Sequence, residues 1–376
     1  MPRRPLHACL GLSIAIAAMA LLATPAAAAV SWVVKGRGYG HGVGMSQYGA
    51  FGYAEAGKGY RWILRHYYRG TSVGELTATR VVRVLLRIDR GDVEFRGARS
   101  ACGRRLDPAR TYEAHRRSSQ VRLRSASGRL LARCGGKLRA AGDRGRVQVL
   151  GLGPYRGALE VVPTRSEAGS LNAINALSVN QYVKGVIPHE VPYTWPYAAL
   201  RAQAVAARSF ALSAGVDGNG FTLYADTRSQ AYGGLALETA RTNRAAADTR
   251  GEVVKYGGEI AQTFYFSTSG GRTESVENSF YGAPVPYLKS VLDPYDHHSP
   301  LHTWTLRFSA AEINSRLGPY VRGRLRRIVV TKRGDSPRIV WARLYGTRGT
   351  SRIRGDSLQY ALGGYDRWMN FRKIVR

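Results

Sequence analysis

The sequence predicts an α+β protein, mixed and largely antiparallel in its β part, with one buried helix of small residues. Three observations carry this. Residues 79 to about 163 contain separated strand-like runs, "RVVRVLLRI", "GRVQVLGL" and "GALEVVP", punctuated by Gly, Asp and Arg turns. The run from Tyr197 to Ala214 is instead rich in Ala, Leu, Gln and Arg, a helix-forming composition that Gly215 ends. No internal repeat or low-complexity linker runs through the chain, and strands and helices fall in separate stretches, which favours α+β.

Composition bounds the rest. With 376 residues and 44% hydrophobic content, the chain can hold two modest domains or one large elaborated one around an ordinary core. The formal charge of +31 draws such a protein toward polyanions and makes its binding depend on salt. The excess is arginine rather than lysine, so codon bias in a GC-rich genome is an equally simple source of it.

The elements follow in order. Residues 1–29 hold Arg3 and Arg4, an apolar stretch too short for a comfortable membrane span, and a small-residue run. They read as a secretory signal peptide cleaved near Ala28 or Ala29, with an uncleaved anchor as the alternative. Cys9, in "LHAC", has the wrong context for a lipoprotein site. The chain is therefore expected to be secreted, in the cell wall or extracytoplasmic envelope. Export weighs against a specific nucleic-acid partner and favours anionic wall polymers.

Residues 30–78 open on the glycine-dense "GRGYGHGVGMSQYGA" and pass into two short helical patterns, "SQYGAFGYAEAG" and "YRWILRHYY", the second stopped by Gly70. Residues 79–165 form the β-rich segment. It contains Cys102 and Cys134, the two cysteines left once the leader is removed, about thirty residues apart. In an oxidising compartment they most economically form a disulfide, worth about 3–4 kcal/mol if unstrained. Two unrelated cysteines share the same spacing. Metal binding by the pair is unfavourable, because His115 is the only imidazole near it.

Residues 166–376 carry the chemistry. Pro196 suits a first helical turn, and Leu200, Ala204, Ala207 and Ala211 recur at helical spacing, a small-residue stripe that lets the helix lie close to a neighbour. Arg201 and Arg208 lie seven apart and are free to project elsewhere. Ahead of this helix stands Glu190 in "GVIPHEVPYTWP", on a connection that Pro188 and Pro192 are expected to keep from being helical. An isolated glutamate is ordinarily an exposed loop acid or a helix-end charge. Apolar and aromatic neighbours would instead raise its pKa from about 4.3 toward that of a general acid usable near neutrality. A helix N-terminus and nearby arginines would oppose this.

These residues resemble a known family. "LNAINALSVNQYVKGVIPHEVPYTWPYAALRAQAVAARSFAL" is similar to the signature block of the stage II sporulation protein D (SpoIID/LytB) family, and "GRGYGHGVGMSQYGA", "FYFSTSGGRTES" and "PYLKSVLDPYD" resemble its other recurrent blocks. Together they span most of the mature chain. The resemblance implies a bacterial envelope protein and a SpoIID-like catalytic core over 166–376, with the buried helix beside the active-site cleft. Its activity would be that of a peptidoglycan lytic transglycosylase on glycan strands, especially strands stripped of stem peptides. Other members are described as amidase enhancers, which makes a cell-wall amidase a candidate partner.

Carried over position by position, the resemblance implies that Glu190 is the catalytic acid and that Arg208 belongs to the active site. Lys289 resembles a basic position near the cleft. Gln203 and Tyr232 either line the groove or pack structurally. The "GHGVGMSQYGA" block, C-terminal in many members, is permuted here to the N-terminus, which is tolerable where chain ends lie close together. His41 and its loop are then expected to return beside the cleft, unless His41 is simply bonded within its turn. Some relatives carry His and Cys around "STSGG", where this chain has Phe266 and Ser269, so no catalytic zinc, other metal or cofactor is expected.

A single acid suffices for one kind of glycan cleavage. Ordinary glycosidases use two carboxylates, because water or an enzyme nucleophile must be activated as the leaving oxygen is protonated. In lytic transglycosylation the C6 hydroxyl of the muramyl sugar attacks its own anomeric carbon and gives a 1,6-anhydro end. One residue can protonate the leaving group and then accept the C6 hydroxyl proton. Glu190 is expected to do both, while Arg208 and the turn Ser269, Gly270, Gly271 hold sugar or acyl oxygens. Asp293 and Asp296 are the candidates for a second carboxylate, which would favour hydrolysis. The competing readings are a non-catalytic wall-binding enhancer of a separate N-acetylmuramoyl-L-alanine amidase and, on charge alone, a secreted nucleic-acid or lipopolysaccharide binder.

Overall fold

The computed structural model describes residues 30–375 apart from 214 and 217, so the expected leader lies outside the described residues. The fold is α+β and largely antiparallel. Four long strands, Val81–Asp89, Leu138–Val149, Gly153–Pro163 and Leu171–Ser178, make the middle of an 11-stranded sheet. Leu171–Ser178 pairs antiparallel with Gly153–Pro163 on one side and Val81–Asp89 on the other, and it is buried along almost its whole length. Its sequence, "LNAINALS", lacks the apolar–polar alternation of a half-exposed strand for that reason. Cys102 and Cys134 are bonded at the far side of this sheet, with Cα atoms 5.2 Å apart.

Helices α1 (Gln47–Glu55), α2 (Tyr60–Tyr67), α3 (Val179–Glu190) and α4 (Tyr197–Ser213) pack beside the sheet. The small residues of α4 let it serve two cores at once. Leu200, Ala204, Ala207 and Ala211 join the main core with the sheet and α3, while Ala202, Val205 and Ala206 join a second core with α1 and α2. A helix of larger side chains would hold these layers apart; the alanines let them approach.

Helix α3 departs from the sequence expectation. It starts on a capping box, with the Ser178 hydroxyl accepting from Gln181 N and the Gln181 side chain returning to Ser178 N. It then runs through Pro188 to end at Glu190. Pro188 was expected to keep this stretch from being helical. Its ring instead falls in the last turn, and burial of Val183, Val186 and Ile187 holds the helix together up to that point. Val191 N closes the end on the Ile187 carbonyl at 2.9 Å.

A third core lies under two three-stranded sheets. In one, strand Val30–Arg37 sits between Thr303–Ser309 and Trp368–Val375, so that Val30 is paired with Val375. The other is made by Leu325–Arg333, Ile339–Gly346 and Gly349–Arg354. From the first of these sheets the chain enters a loop in which Gly38, Gly40, Gly42 and Gly44 all have φ between +76° and +118°. Only glycine adopts this region at little cost, and alternate glycines wind the loop around His41. The loop delivers Met45–Ser46, which pairs in parallel with Tyr265–Phe266.

Candidate active site

Glu190 is set by four separate segments. Its Oε1 accepts from Ala231 N at 2.9 Å, and its Oε2 accepts from Gln47 Nε2 at 3.2 Å. Gln47 is the first residue of α1, placed by the N-cap Ser46, whose hydroxyl accepts from Gly49 N at 3.0 Å. Beside the carboxylate lies the Tyr265 hydroxyl, which donates to Gln230 Oε1 at 2.6 Å and is also within hydrogen-bonding reach of Glu190. Gln230 in turn donates to the Tyr182 hydroxyl and to the Ala207 carbonyl, both at 3.3 Å. A polar cluster from α1, α3, α4, the 230–231 loop and the Tyr265 strand thus closes around one acid.

Burial pushes the Glu190 carboxyl above its ordinary value, while the Ala231 N–H, the Gln47 amide and Tyr265 pull the other way. The expected opposing helix N-terminus and arginines are not its neighbours. Glu190 stands at the C-terminal end of α3, whose dipole disfavours a carboxylate and so acts with burial rather than against it. No ion pair engages it among the described residues, and each oxygen has lone-pair capacity beyond its one backbone or amide donor. The side chain is part-buried. Hollows of about 380–470 Å³ elsewhere on the chain are lined by other residues.

The other expected residues are placed differently. Arg208 is fully buried on the face of α4 turned away from Gln203, since five helical positions amount to about 140° of rotation. Its guanidinium donates to Asn180 Oδ1 at 3.0 Å, Glu252 O at 2.9 Å and Ala246 O at 3.3 Å, so it holds helices together, and its full burial keeps it from a saccharide. Burial pushes its pKa down to about 10. Arg201 does not line the site either; it lies over the Tyr60 ring, 4.0 Å from the centroid.

Tyr232 is also a core residue. Its hydroxyl donates to Asn175 Oδ1 at 2.6 Å and its ring packs on Tyr182 and Tyr155. Gln203 is buried on α4, and its amide has no hydrogen-bond partner among the described residues. Lys289 is paired with Glu277. In the Ser269–Gly271 turn the expected free N–H donors are engaged: Gly270 N donates to Asp296, and Gly271 N to the Ser269 hydroxyl at 3.0 Å.

His41 is held in its own loop, accepting from Val43 N at 3.0 Å through Nδ1 and bonding the Tyr265 carbonyl through Nε2 at 3.1 Å. The Nε2 therefore carries the proton, and burial among Phe264, Phe266 and Phe280 pushes the pKa down to about 4. The permuted block reaches Glu190, but through Gln47. Asp293 and Asp296 do not reach it through any hydrogen bond; both are fully buried under α1. Asp293 accepts from the Tyr67 hydroxyl at 2.8 Å and bonds Ser46, and it lies so near Gly49 that a Cβ there would overlap its carboxylate.

Sequence reasoning missed Gln47, Gln230 and Tyr265. Gln47 and Tyr265 lie in blocks already singled out, "GMSQYGA" and "FYFSTSGG", and Gln230 lies two residues before Tyr232, but nothing local distinguishes them from neighbouring polar residues.

Residues 167–256, which contain Glu190, Gln230 and Ala231, match the family model described as Stage II sporulation protein, SpoIID. The chain is 36% identical over 169 residues to an uncharacterised protein of Brachyspira hyodysenteriae, covering 44% of this chain and 45% of that one. It is 38% identical over 134 residues to the amidase enhancer of Bacillus subtilis, covering 36% of this chain and 18% of that protein. With stage II sporulation protein D of Bacillus subtilis it shares 34% identity over 163 residues, 39% of this chain and 47% of the relative. The chain thus spans about half or less of the length of these relatives. Through the matched region and these likenesses, the chain is similar to the stage II sporulation protein D family.

Proposed function

We propose that this chain is an exported cell-wall protein that cleaves peptidoglycan glycan strands by lytic transglycosylation, with Glu190 as acid and then base. The observation that carries the reading is the setting of Glu190: a desolvated carboxyl, oriented by neutral donors only, with no second carboxylate among its hydrogen-bonding partners. Burial favours the protonated form that must give a proton to the bridging sugar oxygen. Once that proton has left, the Ala231 N–H and the Gln47 amide stabilise the carboxylate, which can then take the C6 hydroxyl proton as the anhydro ring closes. Asp293 and Asp296 are each fully buried and already held, by Tyr67 and by Gly270 N with His302, which disfavours either as the second member of a hydrolytic pair.

A second reading is a wall-binding enhancer of a separate amidase, supported by the likeness to the protein named amidase enhancer. The test is incubation of the purified chain with intact and amidase-treated peptidoglycan, followed by mass analysis of the sugar ends. Anhydro-muramyl termini are the expected product. Reducing termini would replace the reading with hydrolysis, and no release together with faster release by an added amidase would select the enhancer.

A further inference from the structure

The three-stranded sheet of Leu325–Arg333, Ile339–Gly346 and Gly349–Arg354 has two unlike faces. Its inner face, with Ile328, Ala342, Leu344 and Ile353, is buried in the third core beside helix Gly355–Leu362. Its outer face is uncovered. By strand alternation and register, that face carries Arg327 opposite Tyr345, Arg343 opposite Arg352, and Trp341 opposite Arg354. All four arginines are exposed, and both rings are part-exposed.

Three of these guanidinium groups are laid on aromatic rings. Arg352 lies 3.7 Å from the Trp341 centroid, Arg327 4.4 Å from that of Tyr345, and Arg354 3.6 Å from that of Tyr281, a residue just outside the sheet whose hydroxyl donates to the Val340 carbonyl. Stacking fixes the guanidinium planes and leaves their N–H edges pointing outward. Of the four arginines, only Arg354 has an ion pair among the described residues, with Asp356 at 3.1 Å. Arg343 and Arg352 stand directly opposite each other, and like charges so placed in an antiparallel pair are destabilising. The fold thus keeps Arg327, Arg343 and Arg352 as a repulsive cluster of donors that no carboxylate pairs with among the described residues.

From this array we infer that the outer face of the sheet is a binding site for a linear phosphodiester polymer, of the polyol-phosphate kind, lying across Arg327, Arg343 and Arg352. The forked donors of arginine match phosphate oxygens, and the stacking of Arg327 and Arg352 lowers the entropy lost on binding. A neutral glycan or a nucleobase would need an open aromatic face to stack on, and the faces of Trp341 and Tyr345 already carry guanidinium groups. The inference rests on the envelope placement in the reading above, but not on catalysis by Glu190.

The test measures binding of the purified chain to poly(glycerol phosphate) over a range of salt concentrations. The triple variant Arg327→Gln, Arg343→Gln, Arg352→Gln is expected to bind about tenfold more weakly, and to lose about 2 from the slope of log affinity against log salt. A control with the same charge loss on another surface, Arg104→Gln, Arg105→Gln, Arg129→Gln, and the variant Glu190→Gln should both bind like the unaltered chain. Equal loss in the charge-matched control would reduce the site to net charge and overturn it. So would absence of binding by the unaltered chain, or tighter binding of a single-stranded oligonucleotide through the same three arginines. Binding by an unaltered chain that releases no anhydro ends from denuded glycan would leave this site standing while the catalytic reading fell.

Discussion

Gln47 donates from its side-chain amide to Glu190 Oε2 across 143 residues of sequence, joining the N-terminal glycine-rich block to the end of α3. Because the bond favours the ionised carboxylate, removing it must raise the Glu190 pKa further. In Gln47→Leu, the alkaline limb of the pH–rate profile, where activity is lost as the acid deprotonates, should move upward by about 0.5–1 pH unit. An unmoved limb with lowered turnover would mean that Gln47 acts on something other than this proton.

Glu190→Gln should lower turnover by about 10²–10⁴-fold. It should not cost stability. The folded pKa is raised above the ordinary 4.5, so the native state holds a proton that the unfolded chain has lost, and stability from this group declines as pH rises through the folded pKa. The variant, which never ionises, should melt at the same temperature as the unaltered chain in acid and at an equal or higher one at neutral pH. Melting curves at both pH values test this, and a large drop at neutral pH would show that the carboxylate supports the fold.

The sequence made some of this legible and hid the rest for identifiable reasons. Helix α4 follows from local rules, because composition, Pro196 and the alanine stripe all agree. The end of α3 did not, since the local penalty of Pro188 was outweighed by tertiary burial of Val183, Val186 and Ile187. Glu190 was found as the one acid in an apolar context, but its partners Gln47 and Tyr265 meet only because a two-residue parallel bridge joins Met45–Ser46 to Tyr265–Phe266. No local pattern encodes such a contact. The resemblance puts Arg208 in the active site, but a motif match does not tell which side of α4 is buried, and Arg208 is fully buried there.

Asp293 offers a test that leaves the catalytic carboxylate in place. It is fully buried, and desolvation together with the nearby Asp296 pushes its pKa up to about 7 from the ordinary 3.8. The group is favourable to the fold while protonated in both states, and its contribution is lost as pH climbs from the unfolded value through the folded one. Relative to the unaltered chain, Asp293→Asn should therefore gain a few kcal/mol between about pH 4 and pH 7 and then level off. Denaturant midpoints across that range measure the difference. A gap that narrows with rising pH would mean that Asp293 is ionised and stabilising under α1.

Arg208 lies in the block that suggests a role in the active site, yet its side chain is fully buried and all three of its nitrogens donate to the fold, to Asn180 Oδ1, Glu252 O and Ala246 O. Truncation to alanine strands these acceptors in a site without water and removes the tie between α3, α4 and the 246–252 segment. The expected loss is about 3–5 kcal/mol in Arg208→Ala, with a smaller loss in Arg208→Lys, whose single ammonium can hold the charge but cannot fork to three acceptors. Thermal melts measure that loss. Glycan binding, measured at a temperature where each variant is folded, should stay unchanged, because the guanidinium is fully buried and bonded to the fold rather than to Glu190 or its partners. An Arg208→Lys protein that melts normally but no longer binds denuded strands would return this arginine to the substrate and break the division drawn here between the residues that hold the fold and those that hold the acid.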